Sequence, residues 1–202
     1  WLQGVYGRNE TGASGSYNHL SGTVLAQVSG GQVSAQTGSV TVQALRDGEV
    51  EVWAASGSGG GTAGFAGSIA INDIGGSTTS RVSDGAQVQA QGNVQVTAEA
   101  DDRIEARAGT VALGGTVGGG GAIAINDVRN TTTAEVTGSG TTVNALAQGG
   151  STLAVDNGSL VASGSTLDAR QQKDSLKGTA VVASSTSQVE TILANVVKPC
   201  FY

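Results

Sequence analysis

The sequence predicts an all-β fold, a right-handed parallel β-helix (β-solenoid) running through residues 1–202, and three observations predict it. The chain repeats itself at a constant shift of 54: Val40–Val82 laid over Val94–Val136 gives 19 identities in 43 positions without a gap. Within each unit apolar and polar residues alternate, the period of a strand with one buried face. Composition then narrows the architecture. With 33 Gly, one Pro, no Met and only 2 Trp, 3 Tyr and 2 Phe, the interior must be filled by Val, Ile, Leu and Ala. A propeller blade of comparable length carries an aromatic signature that this chain lacks, whereas stacked coils set like residue over like residue at every turn.

The units fall near 1–39, 40–93, 94–147 and a degenerate 148–202. In the first, YNHLSGTVLAQV places Asn18, Leu20 and Val28 one period before Asn72, Ile74 and Val82, with His19 where the later copies carry Asp73 and Asp127. The second and third open with SVTVQALRDGEVEV and NVQVTAEADDRIEA, in which Asp47 and Glu51 recur as Asp101 and Glu105. These carboxylates read as a solvated face. Next come the glycine runs GSGGGTAGFAG and GGTVGGGG, expected to supply positive-φ turns and to let neighbouring coils approach without Cβ clashes. The strands SIAINDI and AIAINDV follow, and then the threonine ranks STTS and TTT.

Asn18, Asn72 and Asn126 each follow the buried strand and are expected to close a bend, bonding nearby backbone or the amides of adjacent coils, while the following Asp faces outward. Their role reads as structural.

In the fourth unit only SSTSQV echoes the pattern, with Val189 at a shift of 53 from Val136. Between Leu153 and Lys177 the repeat fails, and LDARQQKDSLK is the one candidate helix. The tail KPCFY fits no repeat. Such a unit is long for one compact coil, so two or three coils are expected in each, giving a rod of roughly 40–60 Å at the strand spacing.

The glycine run, AIAINDVRNTTTAEV, TTVNA and GNVQVTAEADDRIEARAG together resemble the repeats of leukotoxin-like filamentous adhesins and the wider filamentous haemagglutinin group of Gram-negative bacteria. The resemblance covers Asn18 to Ala147. It implies a secreted stalk or filament at the cell surface, with a host-cell or glycan receptor and end-to-end self-association as the partners to consider.

Other chemistries find little purchase. A net charge of −6 with scattered Lys and Arg argues against nucleic-acid binding. Cys200 stands alone, so no intrachain disulfide or Cys-ligated zinc is expected. The segment WLQGVYGRNE has no basic stretch followed by an apolar one, so a secreted form would be a mature or excised stretch. No run of 18 apolar residues predicts a membrane-spanning helix.

A β-helical carbohydrate-active or carbohydrate-binding module is the main alternative, and an ice-binding solenoid carrying ranks of threonine is a lesser one. His19 replaces an Asp at its repeat position and no GGxGxD motif is present. No catalytic, cofactor-binding or metal-ligating residue is therefore assigned.

Overall fold

The computed structural model describes residues 6–161 and 170–199; the ends of the first and last units, including Cys200, Phe201 and Tyr202 of KPCFY, lie outside the described residues. The described chain is all-β. In order, the strands are β1 (Tyr6–Ser29), β2 (Gln32–Ala35), β3 (Val40–Ser83), β4 (Gln87–Ala90), β5 (Val94–Gly114), β6 (Val117–Val136), β7 (Thr142–Ala145), β8 (Leu153–Val161), β9 (Arg170–Leu176) and β10 (Thr179–Pro199).

Most pairing is parallel, the arrangement a β-solenoid requires. The larger sheet runs β1-β3-β5-β10 with β6 also on β3, and the smaller one runs β2-β4-β7. Asn18 pairs with Asn72 and Asn72 with Asn126, while Val40 pairs with Val94, all at a separation of 54. In the small sheet Val33, Val88 and Val143 line up at a separation of 55.

Two or three coils per unit would put hydrogen-bonded partners a half or a third of that distance apart along the chain. The registers correct that expectation, because neighbouring strands are a full unit apart. The long dimension therefore follows the strands. Four stacked strands measure roughly 15 Å across, whereas the 21 residues of β5 extend about 70 Å.

A flat, long pass is possible because β3 serves twice. Its residues 40–60 lie beside β5 and its residues 63–82 beside β6, so the chain folds back between Gly60 and Ala63. The two arms face each other: Val50, Val52 and Ala54 from one share a core cluster with Ala70 and Ile74 from the other. Alternation does the sorting, since every even-numbered residue from Val94 to Ala112 is buried. Bulk is concentrated where β4 adds a third side, with Val42, Val82, Val88, Val94 and Val96 in one cluster. Farther along the arms the filling shrinks to Ala106, Ala108, Thr110 and Ala112.

The glycine runs keep one of their two expected roles: a Cβ on Gly115 would strike the carbonyl oxygen of Gly61 one unit away, so the runs do let neighbouring coils approach, but they do not supply positive-φ turns. None of Gly57, Gly59, Gly60, Gly61 or Gly118–Gly121 is a positive-φ residue; those are elsewhere, among them Gly30, Gly85 and Gly140. A Cβ on Gly64 would strike the carbonyl oxygen of Leu113, one on Gly114 that of Val117, and one on Gly120 would sit 2.6 Å from Thr110 Oγ1. These glycines admit the opposite arm of the pass.

Two further expectations change. LDARQQKDSLK is not a helix where it is described, because Arg170–Leu176 forms β9, antiparallel to β8. SSTSQV does not repeat the return arm: Val189 pairs with Ile104, a separation of 85 in place of 54. The excess is an excursion from Gln148 to Gly178, which contains the β8–β9 hairpin.

Candidate functional site

Asn18, Asn72 and Asn126 lie inside β1, β3 and β6 and not at a bend, because their even-numbered positions point into the core. Asn72 is fully buried. Its Nδ2 donates to Asn126 Oδ1 at 2.7 Å, and its Oδ1 accepts from Asn18 Nδ2 at 3.1 Å. Asn126 Nδ2 continues the line to Thr191 Oγ1 on β10 at 2.7 Å. The central amide therefore finds both a donor and an acceptor among equivalent residues of neighbouring strands, which makes a polar residue tolerable in an apolar interior.

Outside the same strands, Asp73 Oδ2 lies 3.2 Å from His19 Nδ1 and 3.3 Å from Arg129 Nη2, which also contacts Asp127 at 2.9 Å. His19 is thus one member of a surface charge column. On the outgoing arm Arg107 lies over the exposed Trp53 ring at 4.7 Å and contacts Glu51 and Glu105. The threonine ranks stack into short columns, Thr23-Ser77-Thr131 and Leu25-Thr79-Thr133.

A buried ionic cluster escaped the sequence reading. Arg46 and Asp102, with side chains 8% and 0% exposed, approach to 3.2 Å as diagonal neighbours on the adjacent strands β3 and β5. Arg46 Nη1 donates to Asn130 Oδ1 at 2.6 Å, and Asn130 Nδ2 donates to Asp102. Burial pushes the Asp102 carboxyl above its ordinary value; the Arg46 guanidinium and the Asn130 amide pull it down, while Asp101 and Asp47 push it up.

A signal for this cluster was present in the repeat. Asp102 pairs with Gly48 and Asn130 with Gly76, so a large polar group in one unit is matched by a missing side chain in the unit before it. A Cβ on Gly48 would collide with the Asp102 carboxylate, and one on Gly76 would lie 2.7 Å from Arg46 Nη1.

Asn93 was also missed. It is buried at the corner, where its Oδ1 accepts from Gly178 N at 2.8 Å and its Nδ2 donates to Ser151 O at 3.0 Å. It holds both ends of the excursion against the stack.

The hairpin roofs a cavity of about 270 Å³ on the outer face, lined by Gln43, Gln95, Thr97, Glu99 and Val182 from the sheet and by Leu153, Val155, Asp156 and Lys173 from the hairpin. Lys173 Nζ lies 3.4 Å from Asp156 Oδ1 and 4.0 Å from Glu99 Oε1. Ser184 Oγ donates to Asp156 Oδ2 at 2.7 Å, and the buried Thr97 Oγ1 has no protein partner among the described residues. Burial raises the Glu99 carboxyl, against the pull of Lys173. Acceptors, amides and one cation beside a few apolar side chains suit a hydroxyl-rich ligand.

Comparison of the chain with protein-family models, curated proteins and solved structures found no match.

Proposed function

We propose that this chain is a non-enzymatic segment of a right-handed β-solenoid stalk, one repeat unit to each coil, belonging to a secreted adhesin on the surface of a Gram-negative bacterium. The observation that carries the reading is the constant register of 54 kept through both arms of β3, so that a long chain could be laid down as one continuous filament. Such a stalk works as a rigid spacer that holds a receptor-binding region away from the cell. Immunolabelling of intact producing cells with antibodies to this chain tests it. Surface labelling that disappears when the gene is deleted, together with loss of attachment to host cells, is expected; labelling that needs lysis overturns the reading.

The cavity under the β8–β9 hairpin favours a second reading, a glycan-binding module carried on the stalk. Lys173 and the carboxylates of Glu99 and Asp156 would take sugar hydroxyls. A glycan array probed with the protein and with Lys173→Ala tests this, and equal or absent retention of both rules it out.

A further inference from the structure

The cavity under the β8–β9 hairpin is short of positive charge. Three ionisable side chains line it, the carboxylates of Glu99 and Asp156 and the ammonium of Lys173. Asp101 follows Glu99 by two residues on the same outward face of β5, pairs with Asp47 of β3, and pushes the Glu99 carboxyl further up. Lys173 meets its two carboxylates loosely, at 3.4 and 4.0 Å, and its side chain is half-exposed.

The acceptors are also underused. The Asp156 side chain is only 4% exposed; its Oδ2 accepts from Ser184, while its Oδ1 has no hydrogen-bond partner among the described residues beyond the ionic contact with Lys173. Thr97, 5% exposed, lines the same space with its Oγ1 unpartnered. Buried polar atoms in this state carry a desolvation cost that a donor entering the cavity removes.

A sugar ring meets these needs only in part. Gln43, Gln95 and Thr97 offer neutral hydrogen bonds, and Val155 and Val182 offer an apolar contact to one face of the ring. A neutral sugar leaves two carboxylates against one ammonium, and an acidic sugar adds to the imbalance. A second ammonium between the two carboxylates balances the site and turns idle acceptors into charge-assisted hydrogen bonds.

We infer that this cavity takes an amino sugar with a free primary ammonium, seated between Glu99 and Asp156, in preference to neutral, N-acetylated or acidic sugars. The inference rests on the glycan-binding reading of the same cavity and adds the charge of the ligand to it. Lys173 then plays two parts: it donates to hydroxyls of any sugar, and it repels the incoming ammonium.

Titration calorimetry on the whole chain tests this, with a short glucosamine oligomer, its N-acetylated counterpart, a sialylated lactose and spermidine as probes. The free-amine oligomer should bind at least about ten-fold more tightly than the N-acetylated one, and added salt should narrow that gap. The sialylated sugar should not bind. Spermidine, an amine without hydroxyls, should bind more weakly than the amino sugar, since Gln43, Gln95 and Thr97 gain nothing from it. Glu99→Gln keeps shape and hydrogen-bonding capacity but should erase the preference for the amine. Lys173→Ala should widen it, because the N-acetylated oligomer loses only a donor whereas the free amine also loses a like charge. Both positions are part-exposed, so each variant should keep the β-sheet circular dichroism spectrum. Equal or tighter binding of the N-acetylated oligomer, or a preference undiminished in Glu99→Gln, overturns the charge selection and leaves the glycan reading standing. Tighter binding of spermidine overturns the sugar as ligand, and absence of binding by every probe removes both readings.

Discussion

The side-chain amide of Asn72 donates to Oδ1 of Asn126, 2.7 Å away across adjacent parallel strands and one full repeat later in the chain. With Asn18 above and Thr191 beyond, it sits within a polar line through the core. Replacing Asn72 with Ala strands a donor on one neighbour and an acceptor on the other, at a cost of about 1–3 kcal/mol. Asn18→Ala, at the part-buried end of the line, should cost less, and Asp73→Ala less still. Urea melts of the three variants check the order; equal losses would mean that the ladder contributes nothing.

Glycines that face the opposite arm should not tolerate a methyl group, whereas glycines in the same runs that face open space should. Gly64→Ala and Gly114→Ala drive a Cβ into backbone carbonyls that have no room to retreat, and about 1–3 kcal/mol of destabilisation is expected. Around Gly67 and Gly121 nothing lies within 4 Å, and neither is a positive-φ residue. Alanine there should be neutral or should stabilise by up to about 1 kcal/mol, through the lost freedom of the unfolded chain. Thermal melts of all four variants decide between this steric role and a turn-forming one.

Arg46→Met leaves the Asp102 carboxylate buried without its counter-charge, and at neutral pH about 3–5 kcal/mol of stability should be lost. Asp102 already holds its proton more tightly in the folded protein than in the unfolded one, and losing the guanidinium strengthens that preference. A raised folded pKa means that stability is greatest with the group protonated and falls as pH rises from the ordinary carboxylate value through the folded one. The deficit of Arg46→Met should therefore shrink on acidification, and Arg46→Met combined with Asp102→Asn should recover most of the loss and its pH dependence. A deficit independent of pH would show that packing, and not charge, is at stake.

Excising Gln148–Gly178 removes the stretch by which the register of β10 exceeds the repeat, and joins Ala147 to Thr179. The parallel stack does not depend on the hairpin for its pairing, so the shortened protein should keep a β-sheet circular dichroism spectrum and cooperative unfolding. Loss of cooperativity would mean that the contacts of Asn93 with Ser151 and Gly178 hold β10 in place.

Period and parity were legible in the sequence. The spacing of 54 between Asn18, Asn72 and Asn126 is the register of the sheets, and the alternation in NVQVTAEADDRIEARA is the alternation of burial in β5. Both are local: a strand sends successive side chains to opposite faces, and parallel stacking rewards like residues one unit apart. The break after Ala147 was legible for the same reason, since Leu153–Lys177 carries neither signal.

Only the tertiary structure decided what lies across the core. That β3 folds back on itself, that each unit makes one long pass, and that Gly64 and Gly114 are small because another backbone arrives there all depend on the distance between two arms. No strand pattern encodes that distance. Asn72 looked like a bend residue because a polar group ending an apolar run often marks a turn. It is instead an interior residue whose partners are copies of itself, supplied by strands a whole unit away. Arg46, Asp102 and Asn130 come from three separate stretches and meet only after folding; their trace in the sequence, glycine opposite each large polar group, has meaning once the register is known. A residue's neighbours along one strand are set by the local pattern, but its neighbours across the interior are set by how closely two sheets can pack, and that is a property of the whole pass.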